Sequence, residues 1–124
     1  MHQVTLQKGL TVGDKQHLNA VLRPLSAGDI IAAMEESERV IMAPNAEGKY
    51  EPALLLSNAL MGVNTLRRQV AMLGDIQGPL EVEQFKLLSD IDLDLLQKGV
   101  TAMDMATAKA IVERGRDVAT GSDD

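Results

Sequence analysis

The chain has 124 residues, a net charge of −6 from 18 acidic and 12 basic side chains, and no cysteine, which excludes a disulfide framework and any thiolate metal site. Its basic residues are scattered, with Arg67 and Arg68 the one adjacent pair, so the clustered cations that a phosphate backbone requires are missing and nucleic acid is not an expected partner. No apolar run approaches the roughly 18 residues of a membrane helix, and the opening Met-His-Gln-Val-Thr-Leu lacks the basic region of a secretory signal, so no membrane association and a cytoplasmic location are expected.

Hydrophobic residues make up 45% of the chain but include one Tyr, one Phe and no Trp. The core must then come from Leu, Ile, Val, Ala and Met, a composition that favours helices. From Gln3 to Arg23 the pattern is instead strand-like. Val4 and Leu6 alternate with polar neighbours, as do Leu10 and Val12, and Leu18, Ala20 and Leu22 share a face; Gly9 and Gly13-Asp14-Lys15 supply turns. This predicts a hairpin of two or three short strands, which needs helices to cover its apolar face.

Ser26 and Asp29 have the spacing of a capping box, so a helix is predicted to start there, with Ile30, Ile31, Met34 and Ile41 inward, and to stop at Pro44. Asn45 to Tyr50 reads as a polar loop. Pro52 suits a first helical position, and Leu54, Leu55, Leu56, Leu60 and Met61 then cover most of the circumference of a central helix. A short helix with Leu66, Val70 and Leu73 at i, i+4 and i+7 follows, ended by Gly74. The next begins at Gly78-Pro79, carries Phe85, Leu88, Ile91 and Leu95 as its stripe, and closes with Lys98 in the last turn and Gly99 as cap. A marginal helix to Arg114 completes the set, and the acidic residues 118–124 read as disordered. The fold class is α+β, mostly helical: an N-terminal hairpin followed by four or five helices, with residues 1–99 as the domain and 100–124 as a marginal helix and tail.

Catalytic or metal chemistry finds little support. His2 and His17 read as surface strand residues. Asp90, Asp92 and Asp94 superficially open a calcium loop, but Leu95 stands where its glycine is required and Thr101 where its acidic ligand belongs. No enzyme and no cofactor are expected; a small hydrolase assembled from distant residues is the remote alternative. Four of the seven methionines divide by predicted position: Met34 and Met61 on buried stripes, Met103 and Met105 as candidates for a contact surface.

The order of parts resembles the tail assembly chaperones of Mu-like phages. The resemblance is carried by Val4-Thr5-Leu6-Gln7, by Leu22-Arg23-Pro24-Leu25 leading to Gly28-Asp29, by Glu51-Pro52-Ala53-Leu54-Leu55-Leu56, and by residues 80–88, Leu-Glu-Val-Glu-Gln-Phe-Lys-Leu-Leu. It implies a cytoplasmic factor that binds the tape measure protein, keeps it soluble, helps recruit tail tube protein, and is absent from the mature virion. It also raises self-association and a frameshift-extended form. The proposed client groove lies near Leu60, Met61, Leu66, Val70 and Leu73, with Met103 and Met105 as further contacts. The alternative is a small structural tail or baseplate protein that stays in the particle.

Overall fold

A computed structural model describes residues 2–122, with side chains described for 2–115. Among these residues the elements are, in order, β1 (His2–Val12), β2 (Lys15–Leu22), α1 (Ala27–Glu36), β3 (Glu38–Pro44), β4 (Tyr50–Leu56), α2 (Asn58–Gln69), β5 (Val70–Leu73), β6 (Ile76–Gln77), α3 (Val82–Phe85) and α4 (Asp90–Ser122). One sheet has the order β1-β2-β5-β6 with every neighbour antiparallel; β3 and β4 form a separate two-stranded sheet.

The N-terminal hairpin forms as expected, with Gly13 at positive φ in its turn. A chain that is mostly helical does not. Six strands in two sheets stand beside four helices among the described residues, and four of those strands, β3 to β6, occupy segments expected to be helix or loop. The helix from Ser26 ends at Glu36, where the Ser37 hydroxyl donates to the Ala33 carbonyl at 2.6 Å. Ile41 therefore lies on a strand, as do Leu54, Leu55 and Leu56. The physical cause is an ambiguity of pattern: consecutive apolar residues satisfy a helix apolar all round and equally a strand apolar on both faces. Val70 and Leu73 leave the helix too, because β2 carries a second row of backbone groups that β5 pairs with, Ala20 opposite Leu73 and Leu22 opposite Val70.

The capping box at Ser26 and Asp29 is present in full. Asp29 also takes the Arg23 guanidinium at 2.7 and 3.0 Å. That bond, helped by the Ser26 backbone N–H, holds the Asp29 carboxyl far below the usual carboxylate range.

The core lies where α2, α3 and α4 meet one face of the larger sheet, around Leu6, Leu22, Val70, Leu73, Leu80 and Leu96. Gly99 is no helix cap. It sits inside α4, where a Cβ would come 2.5 Å from Val4 Cγ2 and 2.9 Å from Leu22 Cδ1, so its missing side chain lets the helix cross the sheet closely. The same helix runs on past the expected end at Arg114, its backbone helical to Ser122; residues 123–124, at the end of the predicted disordered tail, lie outside the described residues.

Asp92 is the main polar tie between helix and sheet. Its buried carboxylate accepts from the backbone N–H groups of Gln7 (2.6 Å), Lys8 (3.1 Å) and Gly9 (2.7 Å), where the β1–β2 register shifts and Gly9 has φ 59°. Burial opposes its ionisation, but the bonds from Gln7, Gly9 and Lys8, with the Ser89 hydroxyl, outweigh it and leave its pKa lowered. The aspartates at 90, 92 and 94 thus point to different tasks, since Asp94 pairs with Lys98 at 2.8 Å on the surface.

Candidate functional site: a two-faced apolar hairpin

The functional candidate is the β3–β4 hairpin. Each side of its turn is locally specified. Val40 and Ile41 are β-branched, and Asn45 organises the loop: its side-chain Oδ1 accepts from Glu47 N at 2.9 Å and Lys49 N at 3.0 Å, and its backbone N–H donates to the Lys49 carbonyl at 2.7 Å. Gly48, at φ 79°, closes the turn.

Register assigns the faces. Val40 lies opposite Leu54, Met42 opposite Pro52 and Pro44 opposite Tyr50, so these share one face; Ile41 with Ala53 and Arg39 with Leu55 share the other. Both faces meet water: Val40 is 68% exposed, Met42 60%, Leu54 70% and Tyr50 69%, against 40% for Ile41 and 51% for Leu55. Among the described residues, ten of the 17 exposed large hydrophobics fall in the 27 positions from Ile30 to Leu56. The rest of that set within α1, Ile30, Ile31 and Met34, forms one exposed stripe on the helix that leads into the hairpin. Isolated two-stranded hairpins are marginal in water, and clustered exposure on this scale marks a surface built to be covered.

The hairpin is anchored at its base. Ser57 N donates to the Ser37 carbonyl at 2.9 Å, and Asn64 Nδ2 donates to the Ser37 hydroxyl oxygen at 2.9 Å. Asn64 Oδ1 in turn accepts from Arg67 Nε at 3.0 Å, and both Arg67 and Arg68 pair with Glu36. These arginines, the one adjacent basic pair in the sequence, are 12% and 16% exposed at their side chains, so they are structural partners and not a solvated helix face. Beyond this anchor, β3 and β4 pack on each other and on little else.

The residues singled out from sequence are only partly brought together. Leu66, Val70 and Leu73 belong to the core, at 7%, 0% and 1% exposure. Leu60 and Met61 are half-buried on α2. Met103 is buried at 8% and Met105 exposed at 67%, on opposite sides of α4. Met34, expected inside, is 44% exposed, and His17, expected outside, is buried with its Nδ1 accepting from Asp75 N at 3.2 Å. A shallow cavity of about 220 Å³ does adjoin Leu66, lined also by Ala59, Gly62, Val63, Phe85 and Leu93. Sequence reasoning missed Val40, Met42 and Leu54. A signal was available: two apolar runs flanking a short Asn- and Gly-containing loop is a hairpin pattern.

The chain belongs to a family of phage tail assembly proteins: residues 6–116 match the family described as tail assembly protein gp41. Over 125 aligned residues it is 34% identical to the Mu-like prophage FluMu protein gp41 of Haemophilus influenzae, covering 98% of this chain and 95% of that protein. It is 36% identical to the "Probable tail assembly protein gp41" of Escherichia phage Mu, covering 90% of this chain and 77% of the relative. A longer phage Mu protein, "Probable tail assembly protein FS-gp41", is matched at 36% over 58% of its length. No solved structure matches the chain.

Proposed function

We propose that this tail assembly protein acts as a chaperone: it binds the tape measure protein in the host cytoplasm, keeps it soluble, helps bring tail tube subunits to it, and is absent from the finished virion. The observation that carries this reading is the hairpin, apolar on two faces and exposed on both. A tape measure presents long apolar helix faces, and laying such a helix on a sheet face removes both surfaces from water. The acidic remainder, at net −6, keeps such a complex soluble. Binding, with no chemistry on the client, is all this requires.

The test is co-expression with the tape measure protein encoded by the same phage, followed by a pull-down and mass spectrometry of purified particles. Solubility of the tape measure that depends on this partner, co-purification, and absence from virions support the chaperone. A tape measure that stays insoluble, with this chain recovered from particles, supports instead a structural tail or baseplate protein.

A further inference from the structure

We propose that the outer edge of β3 is a self-association site, at which two copies of this chain pair their β3 strands antiparallel about a twofold axis to make a four-stranded sheet, β4-β3-β3-β4.

Hydrogen-bond alternation identifies the open edge. In the β3–β4 ladder the flanking pairs Ser37 with Ser57 and Asn45 with Lys49 are joined by backbone bonds. Every second pair between them is therefore bonded, which makes Arg39–Leu55, Ile41–Ala53 and Ala43–Glu51 the inward pairs. Glu38, Val40 and Met42 on β3, and Tyr50, Pro52, Leu54 and Leu56 on β4, aim their backbone groups outward. Both strand prolines, Pro44 and Pro52, fall at outward positions, where the hairpin loses no bond. The two edges differ as a result. Pro52 interrupts the donors of β4 at its middle, the usual way an edge is closed to pairing, whereas β3 has three outward donors and three outward acceptors in unbroken succession, the Glu38 carbonyl also accepting from Arg39 Nη1 at 3.1 Å and keeping a second lone pair for a partner strand.

The β3 edge is self-complementary in one antiparallel register, the one a twofold axis through Val40 sets. Pairing centred on Val40 sets Val40 opposite its mate and Glu38 opposite Met42, so each outward donor finds an acceptor and no like charges face each other. Centring on Ile41 brings Pro44 opposite Glu38 and forfeits a donor; centring on Arg39 opposes two guanidinium groups. The edge itself is open, since Glu38 through Met42 are all exposed. This inference stands apart from the chaperone reading: it requires no client, and a chaperone that works as a monomer would defeat it alone.

The absence of cysteine allows a direct test. Val40→Cys and Leu54→Cys place a single thiol at positions of nearly equal exposure, 68% and 70%, on the same face. In the paired sheet the two Val40 Cα atoms lie about 5.5 Å apart, within disulfide reach. The two Leu54 positions lie three strand spacings apart, roughly 14 Å. Under mild oxidation Val40→Cys is expected to form a covalent dimer at least tenfold faster than Leu54→Cys, and the unsubstituted chain to sediment as a dimer at micromolar concentration. Equal rates at the two positions, or a monomer at every concentration, overturns the proposal. Slow amide exchange at Glu38, Val40 and Met42 that appears only when a tape measure segment is added also overturns it, by assigning the edge to the client.

Discussion

Replacing Asp92 separates the charge in the buried tie from its shape. In Asp92→Ala the N–H groups of Gln7, Lys8 and Gly9 lose their common acceptor at 2.6 to 3.1 Å. These donors are only part-buried, so each left unpaired costs near the low end of the about 1–3 kcal/mol of a buried one. Water entering the space left by the carboxylate would recover part of that, so a loss of about 2–3 kcal/mol is expected, a sizeable share of the roughly 5–15 kcal/mol typical of a domain. Asp92→Asn keeps one acceptor oxygen and should lose about half as much. The sign with pH follows from the lowered pKa. A carboxyl more acidic when folded than when unfolded stabilises fully above its unfolded value, near 3.9, and loses that contribution as pH falls through the folded value. Urea unfolding from pH 7 to pH 2 is the assay. The unsubstituted chain should lose stability below pH 4 more steeply than Asp92→Asn. A loss under 1 kcal/mol in Asp92→Ala at pH 7, or parallel pH profiles, would refute the assignment of Asp92 as the tie between α4 and β1.

Other expectations follow from packing. Gly99→Ala, with its Cβ 2.5 Å from Val4, should destabilise by about 1–3 kcal/mol in thermal or urea unfolding despite the better helix residue, whereas Gly62→Ala meets no atom within 4 Å and should gain up to about 1 kcal/mol. Leu73→Asp buries an unpaired carboxylate at a position 1% exposed and should leave little folded protein by circular dichroism; Leu54→Asp, at 70% exposure, should change stability by less than about 0.5 kcal/mol. Asn64→Ala removes the donor to Ser37 and the acceptor of Arg67 Nε, and should cost about 1–3 kcal/mol while speeding amide exchange in β3 and β4 more than in β1 and β2.

Legibility varied along the chain with the physics of each segment. The β1–β2 hairpin and the start of α1 were readable because alternation, turn glycines and the capping box of Ser26 and Asp29 are local signals that tertiary contacts had only to confirm. Residues 38–56 carry one hairpin signal, the Asn- and Gly-containing loop, but Val40-Ile41-Met42 and Leu54-Leu55-Leu56 lack the alternation that separates strand from helix. Leu66, Val70 and Leu73 keep helical spacing across the boundary from α2 to β5, and all three are buried although only the first is helical. Gly99 looks like a cap from sequence because only the crossing of α4 over Val4 and Leu22 explains a glycine inside the helix. Of the contacts expected from sequence, Leu66, Val70, Leu73 and Met103 lie in the core, Leu60 and Met61 are half-buried and Met105 is exposed, while the exposed hairpin carries none of them.

The central claim, that the β3–β4 hairpin is the surface on which this tail assembly protein holds its client, is tested most directly by co-expressing the tape measure protein with the Met42→Asp, Leu54→Asp double variant. A folded variant, shown by unchanged circular dichroism, that leaves the tape measure insoluble while the unsubstituted chain keeps it in solution is the predicted result. A folded double variant that solubilises and co-purifies with the tape measure as well as the original chain would contradict it.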